Sequence, residues 1–259
     1  MTDASAVMES APNSEFRIGL VFRQTFGILG QAFWRYFVIS LIAMIVPILF
    51  AVLAAGLGIW AASGAAHVSK PIVVGGIIFG FVFYFALALT VQGAIAYGAF
   101  QNLRGRRFRI GEALRYCLGK FWPLLGTSFL LGLVIGLGMV ALVVPGVVAL
   151  MCYFVAVPVC VVEDRRPMEA LSRSSELTSG YRWKLLGLEL ILIIGYFLLS
   201  YALKTVFSLL AGAFITQLLS FLLQVIFTVA SGILAAVVYY NLRVLKEGLD
   251  IDQIASVFD

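Results

Sequence analysis

Glu189 is the residue whose type and setting most suggest chemistry, because it is the only acidic residue inside a predicted membrane span. A charged side chain costs roughly 2.5 to 3.5 kcal/mol at the centre of a bilayer, so a carboxyl group kept there often carries a proton or binds a ligand. Glu189 also lies only five residues after Lys184, a depth at which an ion pair with Lys or Arg would hold it for structural reasons. Both interpretations stay open from the sequence.

Two amides, Gln92 and Gln224, are the other strongly polar residues in apolar stretches. Amides between transmembrane helices usually form modest hydrogen bonds that hold the helices together. The alternative is that Gln92, Glu189 and Gln224 line a path for a transported solute.

Lipid recognition is suggested by the run RGRRFR, which contains Arg104, Arg106, Arg107 and Arg109. Each basic residue near an anionic leaflet contributes about 1 kcal/mol of attraction, so these four arginines are candidate ligands for lipid headgroups. The alternative is that they only fix the orientation of the neighbouring helices.

The residues needed for most catalytic or metal sites are missing from the sequence. His67 is the sole histidine, and the three cysteines at 117, 152 and 160 form no CxxC pair. No phosphate-binding glycine loop and no nucleophile elbow occur. We therefore expect no enzyme activity, no catalytic residue, no metal and no cofactor, and no nucleic-acid partner, since the basic residues follow the loops beside apolar stretches.

The elements that must position these residues are membrane helices. Hydrophobic residues make up 62% of the 259 positions and charged residues 12%, with a mean hydropathy of +1.05. A bilayer core of about 30 Å needs roughly 20 apolar residues per helix. The sequence predicts an all-α integral membrane protein with a bundle of six transmembrane helices near residues 33–60, 71–99, 122–143, 146–162, 184–207 and 217–243.

The fourth of these helices is the shortest, with about 17 residues after the turn VVPGVV, so a re-entrant hairpin is the alternative there. Residues 16–243 are predicted to form one membrane domain. Residues 1–15 and 244–259 are predicted to be short cytoplasmic tails, the first disordered and without the features of a cleaved signal peptide.

The distribution of basic residues predicts the orientation of the chain. Of 18 Lys and Arg residues, all except Lys70 and Lys204 fall on one side of the six predicted helices. By the positive-inside rule both termini are expected in the cytoplasm. Trp34, Trp122 and Trp183 lie at the cytoplasmic starts of helices, the level that an indole ring prefers.

A repeated motif suggests how the helices are grouped. FRIG occurs at residues 16–19 and 108–111, and EAL at 112–114 and 169–171. Each motif begins or lies within an amphipathic segment that is expected to lie in the cytoplasmic membrane surface and to precede a transmembrane hairpin. The chain is thus divided into three units, at 16–99, 108–162 and 167–243. The alternative is that a short match in a biased sequence is accidental.

The second half of the chain also carries a pattern of individual residues that resembles a known bacterial family. The pattern consists of Pro145, Gly146, Pro158, Glu163, Ala170, Leu171, Ser174, Leu177, Gly180, Trp183, Leu242, Arg243, Glu247, Gly248 and Asp250. It is similar to the membrane domain found beside glycerophosphoryl diester phosphodiesterases and to the YciC-type inner-membrane proteins. The resemblance implies a loose link to lipid or headgroup metabolism, but not the phosphodiesterase, which belongs to a separate domain.

Together these observations predict a non-enzymatic, multi-pass inner-membrane protein that binds or handles membrane lipid or supports envelope integrity. One alternative is a small-solute or lipid transporter that uses Glu189. Another is a scaffold or accessory subunit with a membrane-protein partner.

Overall fold

The computed structural model describes residues 16–62, 70–106, 108–210 and 212–248, and within these ranges all regular secondary structure is helical. The helices are α1 (Ile18–Ala62), α2 (Lys70–Leu103), α3 (Ile110–Gly119), α4 (Phe121–Ala141), α5 (Val143–Cys152), α6 (Ala156–Glu163), α7 (Pro167–Thr178), α8 (Arg182–Leu210) and α9 (Gly212–Glu247). The predicted all-α class is therefore confirmed for the described residues.

Five segments of the described chain are long and apolar enough to cross a membrane: Ile18–Ile42, Phe121–Ala141, Val143–Glu163, Arg182–Ser208 and Gly212–Glu247. The last four coincide with the predicted spans at 122–143, 146–162, 184–207 and 217–243. The first overlaps only the beginning of the span predicted at 33–60. Helix α2 follows the span predicted at 71–99 but is not among the five, so the count of six spans remains a prediction.

Helix α1 bends at Ala32, where φ is −130° and ψ is 25°. Before the bend, one side of the helix is buried at Val21, Thr25 and Ile28, with the spacing of a single helical face. The predicted division between an amphipathic segment and a following span, placed near residue 33, thus coincides with this bend.

The span predicted at 146–162 is not one continuous helix. It is interrupted at Tyr153–Val155, between α5 and α6. Pro158 lacks the N–H that would bond to the carbonyl of Phe154, which favours a break at this place. The Cys152 carbonyl, at the end of α5, accepts hydrogen bonds from the hydroxyl groups of Ser174 and Thr178 on α7, both at 3.0 Å.

Close contacts between helices depend on only some of the small residues that favour them in the sequence. A Cβ atom on Gly232 of α9 would come 2.8 Å from Ile95 Cγ2 of α2, so α9 and α2 are in close contact there. On α4, by contrast, Gly132 and Gly136 have no neighbouring atom within 4 Å of such a Cβ. Small-residue spacing alone therefore does not identify the packed faces.

Long-range hydrogen bonds join several helix ends into one layer, which we call the basic end. We define it as residues 16–35, 102–106, 108–120, 163–184 and 239–248. Asn102 Nδ2 donates to the Tyr36 hydroxyl at 2.9 Å, and Asn241 Nδ2 donates to Gln24 Oε1 at 2.8 Å. Lys184 Nζ donates to the Phe16 carbonyl at 3.4 Å.

Candidate functional site

The connection between α2 and α3 carries the basic run singled out in the sequence. Gly105 has a φ of +68°, which turns the chain after α2, and the Arg106 N–H donates to the Gln101 carbonyl at 3.0 Å. The side chains of Arg106 and Arg109 are exposed, whereas Arg104 is half-buried, with its guanidinium 5.9 Å from the Phe100 ring. Arg107 lies outside the described residues. Of the four predicted headgroup ligands, Arg106 and Arg109 are thus the ones seen to face outwards.

Phe108 fixes this connection to the rest of the bundle. Its ring is 3% exposed and lies so close to α2 that a Cβ on Gly98 would come 2.7 Å from its Cζ. The ring also contacts Tyr36 of α1 at a centroid distance of 5.2 Å, and the guanidinium of Arg35 lies 5.8 Å from its centroid. Arg35 therefore joins Arg106 and Arg109 around Phe108. Sequence reasoning did not link Arg35 to this run, because no local pattern relates the two segments.

The three tryptophans predicted to mark the membrane interface are all exposed. The exposed fractions are 69% for Trp34, 77% for Trp122 and 82% for Trp183. An indole ring with this exposure needs an amphipathic environment such as the headgroup level of a bilayer. Trp34 is adjacent in sequence to Arg35, so an exposed aromatic ring and a cation occur side by side.

A second group of charges at the basic end is paired internally, and we call it the ion-pair cluster (Glu163, Arg165, Arg173, Glu176, Tyr239, Arg243, Lys246 and Glu247). Arg173 of α7 is central to it, with its Nε 3.4 Å from Glu163 Oε2 and its Nη1 3.2 Å from Glu176 Oε2. Its Nη2 also contacts Glu247 at the end of α9. One guanidinium thus joins α6, α7 and α9.

Further hydrogen bonds complete the ion-pair cluster. The Tyr239 hydroxyl donates to Glu163 Oε1 at 3.0 Å and accepts from Arg243 Nη1 at 3.0 Å, while Arg243 Nε lies 2.9 Å from Glu247 Oε2. Because these charges satisfy one another, the cluster is suited to holding helices together rather than to binding a ligand. Glu163, Arg243 and Glu247 belong to the residue pattern noted in the sequence, whereas Arg173 and Tyr239 were not identified there.

Helix α3 is attached by a separate contact next to the cluster. Lys120 Nζ lies 2.9 Å from Asp164 Oδ1 and 4.6 Å from the centroid of the Tyr116 ring, which stacks on Tyr97. Burial alone would lower the pKa of Lys120, but hydrogen bonds with Tyr116 and Asp164 outweigh it and raise the pKa. Burial also raises the pKa of the Cys117 thiol on α3 to about 12. Both residues are therefore held in the form that packing favours: a charged amine and a neutral thiol.

The three intramembrane polar candidates do not form one site. Gln224 accepts a hydrogen bond from the Tyr196 hydroxyl, between α9 and α8. Gln92 lies on α2. Among the described helices, α9 packs against both α2 and α8, whereas α2 and α8 have no extensive contact with each other. Glu189 is half-buried on α8, and its Oε2 atom has no hydrogen-bond partner. The ion pair that would give Glu189 a structural role is not found within the described ranges.

An apolar groove of about 390 Å³ lies on the outside of the bundle between the first part of α1 and helices α8 and α9. Phe22 and Phe26 of α1 form one wall. The α8 and α9 walls consist of Ile191, Leu192, Gly195, Tyr196, Leu199, Leu223, Ile226, Phe227 and Ala230. Sequence reasoning did not identify this groove, because it depends on how α1 crosses two helices that are far away in sequence.

Within the described residues no group of three or more His, Cys, Asp or Glu side chains could hold a metal ion. His67 lies outside the described residues.

Comparison with known proteins gives one result. A family model described as "Domain of unknown function (DUF7847)" matches residues 112–242, just over half of the 259 residues. The matched region begins in α3 and ends near the end of α9, so it includes Glu163, Arg173 and Glu189 but neither α1 nor Arg106 and Arg109. No curated protein and no solved structure matches the chain.

Proposed function

The chain belongs to the DUF7847 family, whose description names no activity, and we propose that it is a non-enzymatic, multi-pass protein of the bacterial inner membrane that binds anionic phospholipid. In this proposal the basic end and both termini face the cytoplasm, and six helices cross the bilayer. Its partners are membrane lipids.

The proposal rests on a difference between arginines of the basic end: some form ion pairs with acidic side chains and others do not. Within the described ranges, Arg106 and Arg109 form no ion pair with an acidic side chain, and both are exposed. Phe108, which lies between them in sequence, is buried, and the guanidinium of Arg35 lies 5.8 Å from the centroid of its ring. Exposed arginines without an acidic partner are suited to bind the phosphate of an anionic headgroup.

The expected strength follows from the number of cations. At about 1 kcal/mol for each basic residue near an anionic leaflet, Arg106 and Arg109 together contribute about 2 kcal/mol, or roughly 30-fold in preference for anionic over zwitterionic lipid.

The test is the double variant Arg106→Gln/Arg109→Gln, purified and incubated with an equimolar mixture of phosphatidylglycerol and phosphatidylcholine. Native mass spectrometry then measures the ratio of the two lipids that stay bound. We expect the anionic preference of the wild-type protein to fall roughly 30-fold in the variant. Arg104 is left unchanged, because its contact with Phe100 makes it part of the packing.

The matched control is Arg106→Lys/Arg109→Lys, which keeps both charges. This variant should retain most of the preference, since the attraction to the leaflet depends mainly on charge. The proposal is wrong if Gln and Lys variants bind phosphatidylglycerol as strongly as the wild-type protein does.

A second candidate function, transport, is favoured by the unpartnered Oε2 atom of Glu189. A carboxyl group without a partner inside a membrane helix is a candidate site for a proton or a cation. Against it, Gln224 is engaged with Tyr196, and Gln92 lies on a different helix, α2. In proteoliposomes a transporter should show a pH-dependent flux that Glu189→Gln abolishes, and wild-type protein without flux would exclude this candidate.

A further inference from the structure

We propose that the apolar groove between α1, α8 and α9 holds one acyl chain of an anionic phospholipid, whose phosphate lies against Lys184 and Arg23. This inference deepens the proposed lipid binding and rests on it for the placement of the basic end at a membrane surface. It names a second site, whose lining includes none of the residues 102–109.

The walls of the groove determine what kind of ligand it can take. Tyr196 is its one residue with a strongly polar side chain, and the hydroxyl of Tyr196 is already engaged with Gln224. The groove therefore offers hydrocarbon and aromatic surface without a free hydrogen-bonding group to orient a polar solute. Its volume of about 390 Å³ is within the range of ligand pockets, roughly 300 to 1,000 Å³. A flexible hydrocarbon chain satisfies both conditions.

The position of the groove in the bundle favours a lipid over a soluble apolar molecule. Its α8 wall begins at Ile191, nine residues after the start of that helix, and its α9 wall lies inside the candidate span Gly212–Glu247. In a bilayer this surface is next to the acyl chains of one leaflet. Gly195 contributes no side chain to the α8 wall, which leaves space for the occupant there.

The cations around the groove determine which headgroup fits. Lys184 precedes Ile191 by seven residues, close to two helical turns, so it lies on the same face of α8 and about 10 Å nearer to the basic end. Its Nζ donates to the Phe16 carbonyl at 3.4 Å, which places it beside the residues that precede α1. Arg23, exposed on α1, directly follows Phe22 of the groove wall. This offset of about 10 Å is somewhat larger than the headgroup layer of a leaflet, roughly 5 to 8 Å thick, so a lipid with its phosphate at Lys184 has its acyl chain at the level of Ile191.

The acidic groups near this surface do not cancel the two cations. Helix α8 has one acidic residue, Glu189, and it is half-buried and outside the groove lining. The described part of α1 has none, and in α9 the sole acidic residue is Glu247 in the ion-pair cluster. The entrance to the groove is therefore cationic, which complements a phosphodiester.

Gly195 and Gly187 provide a matched pair of substitutions on the same helix. At each glycine an added Cβ would meet no atom within 4 Å, so Leu should fit without distorting the bundle. Gly195→Leu places its side chain into the groove, whereas Gly187 is not part of the lining. Both changes replace a poor helix former by a good one, so any difference between them reports on the groove.

The experiment uses the full chain in detergent with a phosphatidylglycerol probe that carries a photoreactive diazirine in its acyl chain. After illumination, peptides are mapped by mass spectrometry. We expect label in residues 191–199 and 223–230, loss of most of it in Gly195→Leu, and wild-type labelling in Gly187→Leu. The same label should be weaker with a phosphatidylcholine probe, and the difference between the two probes should disappear in Arg23→Gln/Lys184→Gln.

Failure of this inference can be told apart from failure of the proposed function. Arg106→Gln/Arg109→Gln should lower the overall anionic preference and leave the groove label unchanged. The groove inference is overturned if residues 191–199 and 223–230 are labelled no more than exposed Phe129 and Leu133 of α4, or if Gly195→Leu and Gly187→Leu label alike. A groove filled by a second copy or by residues 1–15 would stay unlabelled in every variant, and this also overturns it.

Discussion

Two groups of arginines at the basic end differ in what surrounds them. Arg173 and Arg243 lie among carboxylates of α6, α7 and α9 and are largely buried, with side chains 19% and 12% exposed. Arg106 and Arg109 are exposed around an apolar anchor, Phe108, without an ionic partner within the described ranges. Arginine thus holds helices together where carboxylates are near, and it is available to a ligand where no carboxylate is near.

The largest expected effect comes from breaking the paired group. Arg173→Gln removes one of the two cationic partners of Glu163, whose side chain is 7% exposed, and leaves this carboxylate with only the half-exposed Arg165 and the Tyr239 hydroxyl. Removing one member of a buried pair costs roughly 3 to 5 kcal/mol, and partial exposure of Arg173 favours the lower value. Thermal unfolding in detergent should therefore show a loss of about 3 kcal/mol in stability.

Arg165→Gln is the control for this change. Arg165 also lies 3.4 Å from Glu163, but its side chain is 47% exposed, so its removal should cost less than about 1 kcal/mol. Folded Arg173→Gln protein should keep the lipid preference of the wild type. Equal stability of the Arg173 and Arg165 variants would contradict the view that the ion-pair cluster is structural.

A smaller effect is expected from a pair of glycines on α4, one packed against α7 and one open. A Cβ on Gly126 would come 2.7 Å from Pro167 Cγ, so Gly126→Ala should displace the start of α7 at a cost of about 1 to 3 kcal/mol. Gly132→Ala meets no atom within 4 Å and should be neutral or stabilising. Unfolding midpoints of the two variants measure the difference, and a greater loss in Gly132→Ala would show that the packed and open faces of α4 are wrongly assigned.

The local features of the fold could be predicted from the sequence. Pro167 begins α7 as expected, and Gly180, with a φ of +86°, follows its end. Trp122 and Trp183 lie at the starts of α4 and α8, as predicted from their sequence neighbours, whereas Trp34 lies inside α1, two residues after the bend at Ala32. Such features depend on a few adjacent residues, which is why a sequence pattern is enough to predict them.

The parts that could not be predicted depend on contacts between distant segments. The interruption after Cys152 is stabilised by hydroxyl groups of α7, more than 20 residues later. The pairs Arg35 with Phe108 and Tyr239 with Glu163 join residues more than 70 positions apart. The residues 104–109 were singled out correctly as a basic run, but their sequence does not say that Arg104 is engaged while Arg106 and Arg109 face outwards.

The smallest expected effect concerns the reactivity of Cys117. Its pKa of about 12 keeps the thiol neutral, and this contribution to stability is present below the ordinary value near 9 and is lost as the pH rises from there towards 12. Since the thiolate is the reactive form, maleimide at pH 8 should label Cys117 slowly in folded Cys152→Ala/Cys160→Ala protein and rapidly after denaturation. A Cβ on Gly93 of α2 would come 3.2 Å from Cys117 Sγ, so the two helices are in close contact there, and rapid labelling of the folded protein would contradict this packing.

The decisive test of whether Arg106 and Arg109 attract anionic lipid is fluorescence quenching of Trp34, which directly precedes Arg35 in the sequence. The other tryptophans, Trp60, Trp122 and Trp183, are replaced by Phe, and the protein is placed in vesicles of phosphatidylcholine with a small share of brominated lipid. We expect brominated phosphatidylglycerol to quench Trp34 more than brominated phosphatidylcholine does, and we expect Arg106→Gln/Arg109→Gln to remove the difference. Equal quenching by the two brominated lipids in the protein with all arginines intact would contradict it.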